Sequence, residues 1–326
     1  MRIDRIAMIV GIDNYELQGS SLKGCINDAQ KVRDILITHS NGAPNFDCKK
    51  TFTSNKYNIS SEFLLSKAEE FFSLTAQVAL FYFSGHGFLN NLGGYLVTQD
   101  AKKYRAGVKM NDILIMAKQA REENRIQEII IVLDCCHSGF LGESPLLKDS
   151  SLINEGISIL AASRKYENAM EVNGYGKFTR LFINALAGGA GDFCGEVKAP
   201  AVYAYIDNAL GPNNQRPIFK SNVSKLISIR NTEIDIESSI LRYLPEYFLT
   251  PTDKIILDQS FLNRDKQNPV KQSKLFILQL LYDRQLIYLK KEKDLELGAL
   301  KKDSCFLSSQ GKYYWQIVSE TINKNN

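Results

Sequence analysis

Long apolar runs are missing from this chain. A membrane-spanning helix needs roughly 20 consecutive apolar residues, and the apolar stretch near the amino terminus, Ile6 to Ile12, stops after seven between Asp4 and Asp13. Neither a signal peptide nor an anchor is expected from it. Cysteine is sparse, six in 326 residues, with no regularly spaced framework and no CxxC pair. A disulfide scaffold is thereby excluded. Cys135 and Cys136 are adjacent, which strains a bridge between them and suits tetrahedral zinc ligation poorly. Internal repeats and low-complexity tracts are absent as well. What remains is 44% apolar and 23% charged residues, enough to bury a real core and offset the entropy of ordering. A soluble, cytoplasmic protein with reduced thiols and no membrane attachment is expected.

Net charge is small, 40 basic against 36 acidic residues, but unevenly placed. Residues 251–326 hold 13 Lys and Arg against 9 Asp and Glu, whereas the first 250 balance at 27 against 27. The asymmetry points to two modules. Up to about residue 230, short apolar bursts alternate with amphipathic stretches, the signature of an α/β fold with a mostly parallel sheet and helices on both faces. Buried strands are predicted at 6–12, 78–85, 128–134 and 156–163, and a shorter one at 93–98. Helices are predicted at 25–36, at 60–72 with Ser60 or Ser61 as cap, at 111–120 with Asn111 as cap, and at 177–188, ending in glycine. QRPIFK (215–220) reads as a late edge strand. Gly, Ser and polar residues between 139 and 155 predict a surface loop. Pro245 and Pro251 then punctuate a change of character. The predicted division is 1–235 for the first domain, 236–250 for a linker and 251–326 for a second module.

Two strand ends carry reactive side chains: SGHG (84–87) after VALFYF, and DCCHSG (134–139) after EIIIVL. Functional groups in open parallel sheets gather beyond the carboxyl ends of the strands. A cysteine nucleophile needs an imidazole close by, and His86 and Cys136 sit on separate strand ends that could face each other. Residues i and i+2 of an extended chain point the same way. Asp134 therefore groups with Cys136 and Ser84 with His86, while Cys135 points oppositely and is expected to be a packed thiol.

On these motifs the chain resembles the caspase-like cysteine peptidases, nearer to the metacaspase and bacterial caspase-like branch than to animal caspases. IAMIVGIDNY and LKGCINDAQ match the opening strand and helix of that branch, and SGHG and DCCHSG its histidine and cysteine boxes. ILAASRKYENAMEV, GKFTRLFINALAG and QRPIF match the segments that follow. Caspases place the histidine about 50 residues before the cysteine, and His86 precedes Cys136 by 50. The resemblance spans roughly residues 3–222. It implies a caspase-like three-layer fold and a regulated cysteine endopeptidase of a bacterial stress, death or defence pathway. In that reading Cys136 is the nucleophile, His86 its proton partner, and the backbone N–H groups of Gly87 and Cys136 hold the oxyanion. Animal caspases receive aspartate on basic groups. Here Asp28, Ser84 and Asp134 occupy positions that line an acidic S1 pocket in the metacaspase branch, which implies a protein substrate cut after Arg or Lys. Such enzymes often mature by cutting a connecting loop, which makes Lys148 a candidate self-cleavage site. Calcium dependence occurs in parts of the family, but no ligand cluster supports it here, and no cofactor or metal is expected.

Beyond residue 250 the sequence becomes helical and basic and loosely resembles a winged helix-turn-helix. KLFILQLLYDRQLIYLKK reads as a helix and a short strand, KEKDLELGALKKD as a charged turn of the wing, and LSSQGKYYWQIVSET as a closing helix. Lys290, Lys291, Lys293, Lys301 and Lys302 would decorate the wing, interrupted by Glu292, Asp294, Glu296 and Asp303. The interruptions favour a regulatory or partner-binding module, gated by an activating protein or small-molecule signal, over nucleic-acid binding. Two other readings compete with the peptidase: a non-enzymatic adaptor that keeps the fold as a binding surface, and a nucleic-acid-binding regulator led by the carboxyl-terminal module.

Overall fold

The continuous apolar runs become inner strands because both of their faces are covered. A computed structural model describes the chain except for residues 1–3, 18, 91–92, 103–104, 136–152, 163–170, 173–174, 193, 211–216, 233–239, 263–268 and 326. It divides into two compact units, 1–233 and 234–326.

The first unit opens with β1 (Arg5–Gly11), α1 (Cys25–Leu36), β2 (Asp47–Thr53), α2 (Ser61–Phe72) and β3 (Ala76–Ser84). A three-stranded antiparallel hairpin system follows: β4 (Gly87–Asn90), β5 (Gly93–Lys102) and β6 (Arg105–Lys109). Then come α3 (Met110–Glu122), β7 (Ile126–Asp134), β8 (Ile157–Ala161), the short pair β9 (Glu171–Val172) and β10 (Tyr175–Gly176), and α4 (Lys177–Asn184). The unit closes with β11 (Glu196–Val197), α5 (Ala199–Leu210), β12 (Ile218–Asn222) and β13 (Arg230–Asn231), the last pairing with β11. The central sheet runs β12-β8-β7-β3-β1-β2. Five strands are parallel, and β12 joins β8 antiparallel at one edge.

Side-chain alternation sorts the core onto two faces. Met8, Val10, Phe81, Phe83, Ile131 and Leu133 pack with α2 and α3 on one side. Ile9, Leu80, Tyr82 and Val132 pack with α1, α4 and α5 on the other. Burying each large apolar side chain contributes about 1.5–3 kcal/mol, so the sheet is held from both sides. Ser60 caps α2 as its sequence predicts, accepting the Phe63 N–H at 3.1 Å. Asn111 does not cap α3. That helix begins one residue earlier, after Lys109, and has no side-chain cap. The strand expected at 93–98 runs on to Lys102 and pairs with β6, for which the sequence pattern predicts no element.

The second unit holds α6 (Tyr243–Tyr247), β14 (Lys254–Ile256), α7 (Pro269–Asp283), β15 (Ile287–Leu289), α8 (Leu295–Leu300), β16 (Ser304–Leu307) and α9 (Ser309–Asn325). Its sheet is antiparallel, in the order β14-β16-β15. The segment read as a charged turn of a wing contains α8 instead. Asp294 caps that helix by accepting the Leu297 N–H at 2.8 Å, and Leu295, Gly298 and Ala299 are buried. The apolar positions inside a charged run therefore favour a helix over a solvated turn. Within the stretch expected to be a linker, Leu244 and Phe248 are fully buried, and the Trp315 indole N–H donates to the Phe248 carbonyl at 2.6 Å.

Candidate active site

The chain passes from β1 to β2 on one side and then to β3 on the other, so the strand order reverses between β1 and β3. Crevices in parallel sheets open at such reversals, beyond the carboxyl ends of the strands. The first groups there belong to the turn after β1. Asp13 accepts the Cys25 N–H at 2.8 Å and the Ile26 N–H at 3.3 Å. Gly24, at the N-cap of α1, supplies no side-chain cap, so Asp13 satisfies these first N–H groups from outside the helix, where a carboxylate also meets a favourable dipole. Gly11 permits the close approach: a Cβ there would collide with the Cys25 carbonyl oxygen.

With α1 pinned, three residues predicted from separate elements converge. Asp28, on α1, is 1% exposed. Its Oδ2 accepts the Gly176 N–H at 3.0 Å and the Ser84 hydroxyl at 3.4 Å. Asp134, at the end of β7, accepts both the N–H (3.1 Å) and the hydroxyl (2.6 Å) of Thr179 on α4. Thr179 in turn takes the Tyr82 hydroxyl at 2.5 Å. Burial raises the Tyr82 phenol well above its ordinary value, and the charges of Asp28 and Asp134 raise it further. Gly176 lies between the acids, and a Cβ on it would strike both Asp134 Oδ2 and Asp28 Oδ2. Two buried carboxylates thus flank one backbone position at the rim.

His86 stands just past β3. Its backbone N–H donates to the Tyr15 hydroxyl oxygen at 2.9 Å, and that hydroxyl donates to the Ile12 carbonyl at 3.1 Å. The two rings lie 4.8 Å apart between centroids. The imidazole Nε2 is 2.7 Å from the Ser20 carbonyl oxygen. A carbonyl only accepts, so Nε2 carries the proton and Nδ1 is left as the basic nitrogen. Gly87 opens β4 opposite Leu96. The alternation expected to run through both boxes stops early: β3 ends at Ser84 and β7 at Asp134, and the chain bends at Gly85 and Cys135.

Cys135 is fully buried in the core on the α2 and α3 side. Cys25, three residues before Asp28, is 4% exposed. Burial pushes its thiol far up. A hydrogen bond with Ser84 offsets part of that, and Asp13, Asp134 and Asp28 push it up again, so it is a poor nucleophile. Cys136 and Lys148 lie outside the described residues. Among the described residues no disulfide is present, no group of three or more His, Cys, Asp or Glu side chains could hold a metal ion, and no helix is long and apolar enough to cross a membrane.

Sequence reasoning missed Asp13, Tyr15, Ser20, Gly176 and Thr179. A polar turn closing a buried strand (GIDNY) and a Gly-Lys-Phe-Thr opening a helix were signals for four of them. Ser20 acts through its backbone and leaves no side-chain signal.

Comparison with known proteins places this arrangement. The family described as "Caspase domain" (Peptidase_C14) matches residues 4–227. Caspase-1 from Spodoptera frugiperda superposes with a TM-score of 0.51 at 13% identity, covering 72% of this chain and 92% of that one. A crystallised protein from Geobacter sulfurreducens superposes with a TM-score of 0.50 at 12% identity, covering 71% of this chain and all of the other. No curated protein sequence matches significantly.

Proposed function

Because the chain belongs to the caspase-domain family of cysteine peptidases, we propose that it cleaves polypeptides after Arg or Lys, with Cys136 as nucleophile and His86 as its proton partner. The observation that carries the specificity is the pair of carboxylates flanking Gly176. Carboxylates gathered at one place favour a cation over an anion beside them. A substrate guanidinium or ammonium supplies that cation, and each charge-assisted hydrogen bond it makes contributes about 1.5–3 kcal/mol. The Ser84 hydroxyl bonded to Asp28 offers the incoming group a further polar contact. Aspartate, the residue animal caspases select, is repelled by the same pair.

The chemistry is acyl transfer. Nδ1 of His86 takes the Cys136 proton. The thiolate attacks the scissile carbonyl, the C–N bond breaks to give a thioester, and the imidazolium returns its proton to the leaving amine. Water, activated by the same imidazole, then hydrolyses the thioester. The Ser20 carbonyl at 2.7 Å from Nε2 favours the tautomer this needs and stabilises the imidazolium when it forms. The N–H groups of Gly87 and Cys136 act as oxyanion donors. Lys148, which follows β7 and precedes β8 in the sequence, is the site of self-processing. The second unit regulates activity by receiving a partner or small-molecule signal within a bacterial stress, death or defence pathway.

A fluorogenic peptide panel tests the reading. Turnover is expected for Arg and Lys before the scissile bond, and none for Asp; Cys136→Ala abolishes it. Cleavage only after Asp, or activity surviving in Cys136→Ala, overturns the proposal. Intact mass separates the self-processing step: wild type is expected as two fragments divided after Lys148, and Cys136→Ala as one chain.

A further inference from the structure

A cavity opens beside His86. It measures about 480 Å3, within the range that small-ligand pockets occupy. Besides the imidazole, its walls include Tyr15, Leu17, Phe88, Val97 and Ala106, with the exposed Lys102 at its border. Leu17 and Phe88 are 58% and 43% exposed, so two large apolar side chains face solvent at the rim of a catalytic candidate. Exposed apolar surface gathered in a concavity marks a binding site more often than scattered single residues do.

The cavity and the acidic pair draw on different elements. The carboxylates are built on the face formed by α1 and α4, where Ala29, Tyr82, Val132 and Phe178 pack together. The cavity is walled by the β4–β5–β6 hairpin system, whose Leu96 and Val108 belong to the other core, with Phe83, Leu133 and Cys135, and Tyr15 packs against that same core. His86 stands at the rim between the two.

Acyl transfer assigns the two sides. The residue before the scissile bond contributes the carbonyl, and in the proposed reading its basic side chain reaches Asp28 and Asp134. The residue after the bond contributes the amine that receives the proton from His86, so that residue lies against the imidazole. We infer that the cavity beside His86 is the subsite for the residue following the cleaved bond, and that it selects an apolar or aromatic side chain there. This rests on the peptidase reading above. One edge of the sheet then carries two pockets of opposite character, acidic for the residue before the cut and apolar for the residue after it.

Two substrate series on the full-length protein separate this inference from the reading it rests on. N-acyl-arginine methyl ester releases methanol, so no side chain follows its scissile bond and its hydrolysis reports only the acidic pocket and the nucleophile. Internally quenched peptides with a fixed Arg before the bond, and Phe, Leu, Ala or Asp after it, report the second pocket. Wild type is expected to hydrolyse the ester and to prefer Phe and Leu over Asp by about tenfold or more in kcat/KM. In Phe88→Ser and Ala106→Lys the Phe-to-Asp ratio is expected to fall toward one. Ester hydrolysis with a flat or Asp-preferring peptide series, or variants that keep the wild-type ratio, overturns the inference alone. Failure to hydrolyse the arginine ester overturns the peptidase reading and this inference with it.

Discussion

Buried aspartates do different work in the two units. In the second, Asp303 is 4% exposed, and its carboxylate accepts the N–H groups of Lys291 (2.8 Å), Glu292 (2.9 Å) and Ser304 (2.7 Å). Burial pushes this carboxyl up, but the three backbone donors outweigh it and leave it below its ordinary value. One acid thus ties the turn before α8 to β16, and its donors come from its own neighbourhood in the chain. In the first unit Asp28 and Asp134 come from α1 and β7, far apart in the chain, and meet over Gly176. A carboxylate folded into a nest of N–H groups is a structural device. In the proposed reading, two carboxylates brought from distant elements to one glycine at a sheet rim make a receptor for positive charge.

The comparison breaks first if the pair is not a receptor. Asp134→Asn keeps an acceptor for Thr179 while removing the charge, and it is expected to lower kcat/KM on arginine peptides by about 100-fold or more, in line with truncating one side of a buried charged contact. Asp28→Asn is expected to behave alike. Unchanged arginine turnover in folded variants would show that the acids are structural, as Asp303 is. Tyr15→Phe comes next. It removes the acceptor of the His86 N–H and the donor to Ile12, so kcat is expected to fall by about tenfold with KM little changed; a loss confined to KM would contradict a positioning role.

In the second unit, Asp303→Ala leaves three partly buried N–H groups without their acceptor. It is expected to cost about 1–3 kcal/mol, read as lost hydrogen-exchange protection over β14, β15 and β16. Protection unchanged in those strands would remove the structural role assigned to this acid. The smallest effect concerns His39, whose Nδ1 accepts the Asn231 N–H at 3.0 Å. Burial lowers its pKa from 6.5, with Arg5 and Arg230 adding to the shift. The unfolded chain then binds more protons near that pH, so the contribution of His39 is present above about 6.5 and lost as pH falls through the lower folded value. An imidazole titration midpoint below 6.5 is expected; one at or above it contradicts the assignment. His39 also shows where the comparison stops, since it meets Asn231 across a long stretch of chain for a structural purpose only.

Much of the first unit was legible because its inner strands are covered on both faces. VALFYF and EIIIVL can hardly be anything but buried strands, and the helix at 25–36 has the boundaries its apolar spacing predicts. Asp28, Ser84 and Asp134 could be grouped from strand ends and motif resemblance, whereas their meeting point could not. Gly176 and Thr179 lie on a segment that only folding returns to the rim. Tyr15 was hidden for a similar reason, since its value lies in a backbone N–H that alternation arguments ignore. The second unit was harder to read. Its apolar positions in LELGAL are few and embedded in charge, so a six-residue helix looked like a turn until Asp294 and the buried Leu295 gave it a cap and a face.

The most direct test of the central claim is covalent. An arginyl chloromethyl ketone offered to the full-length protein, followed by peptide mapping, reports which thiol reacts and whether a basic side chain guides it there. A single adduct on Cys136, suppressed by His86→Ala and absent with the aspartyl analogue, is the result expected. Labelling at Cys25 or Cys135 instead, or equal labelling by the aspartyl reagent, would contradict the account.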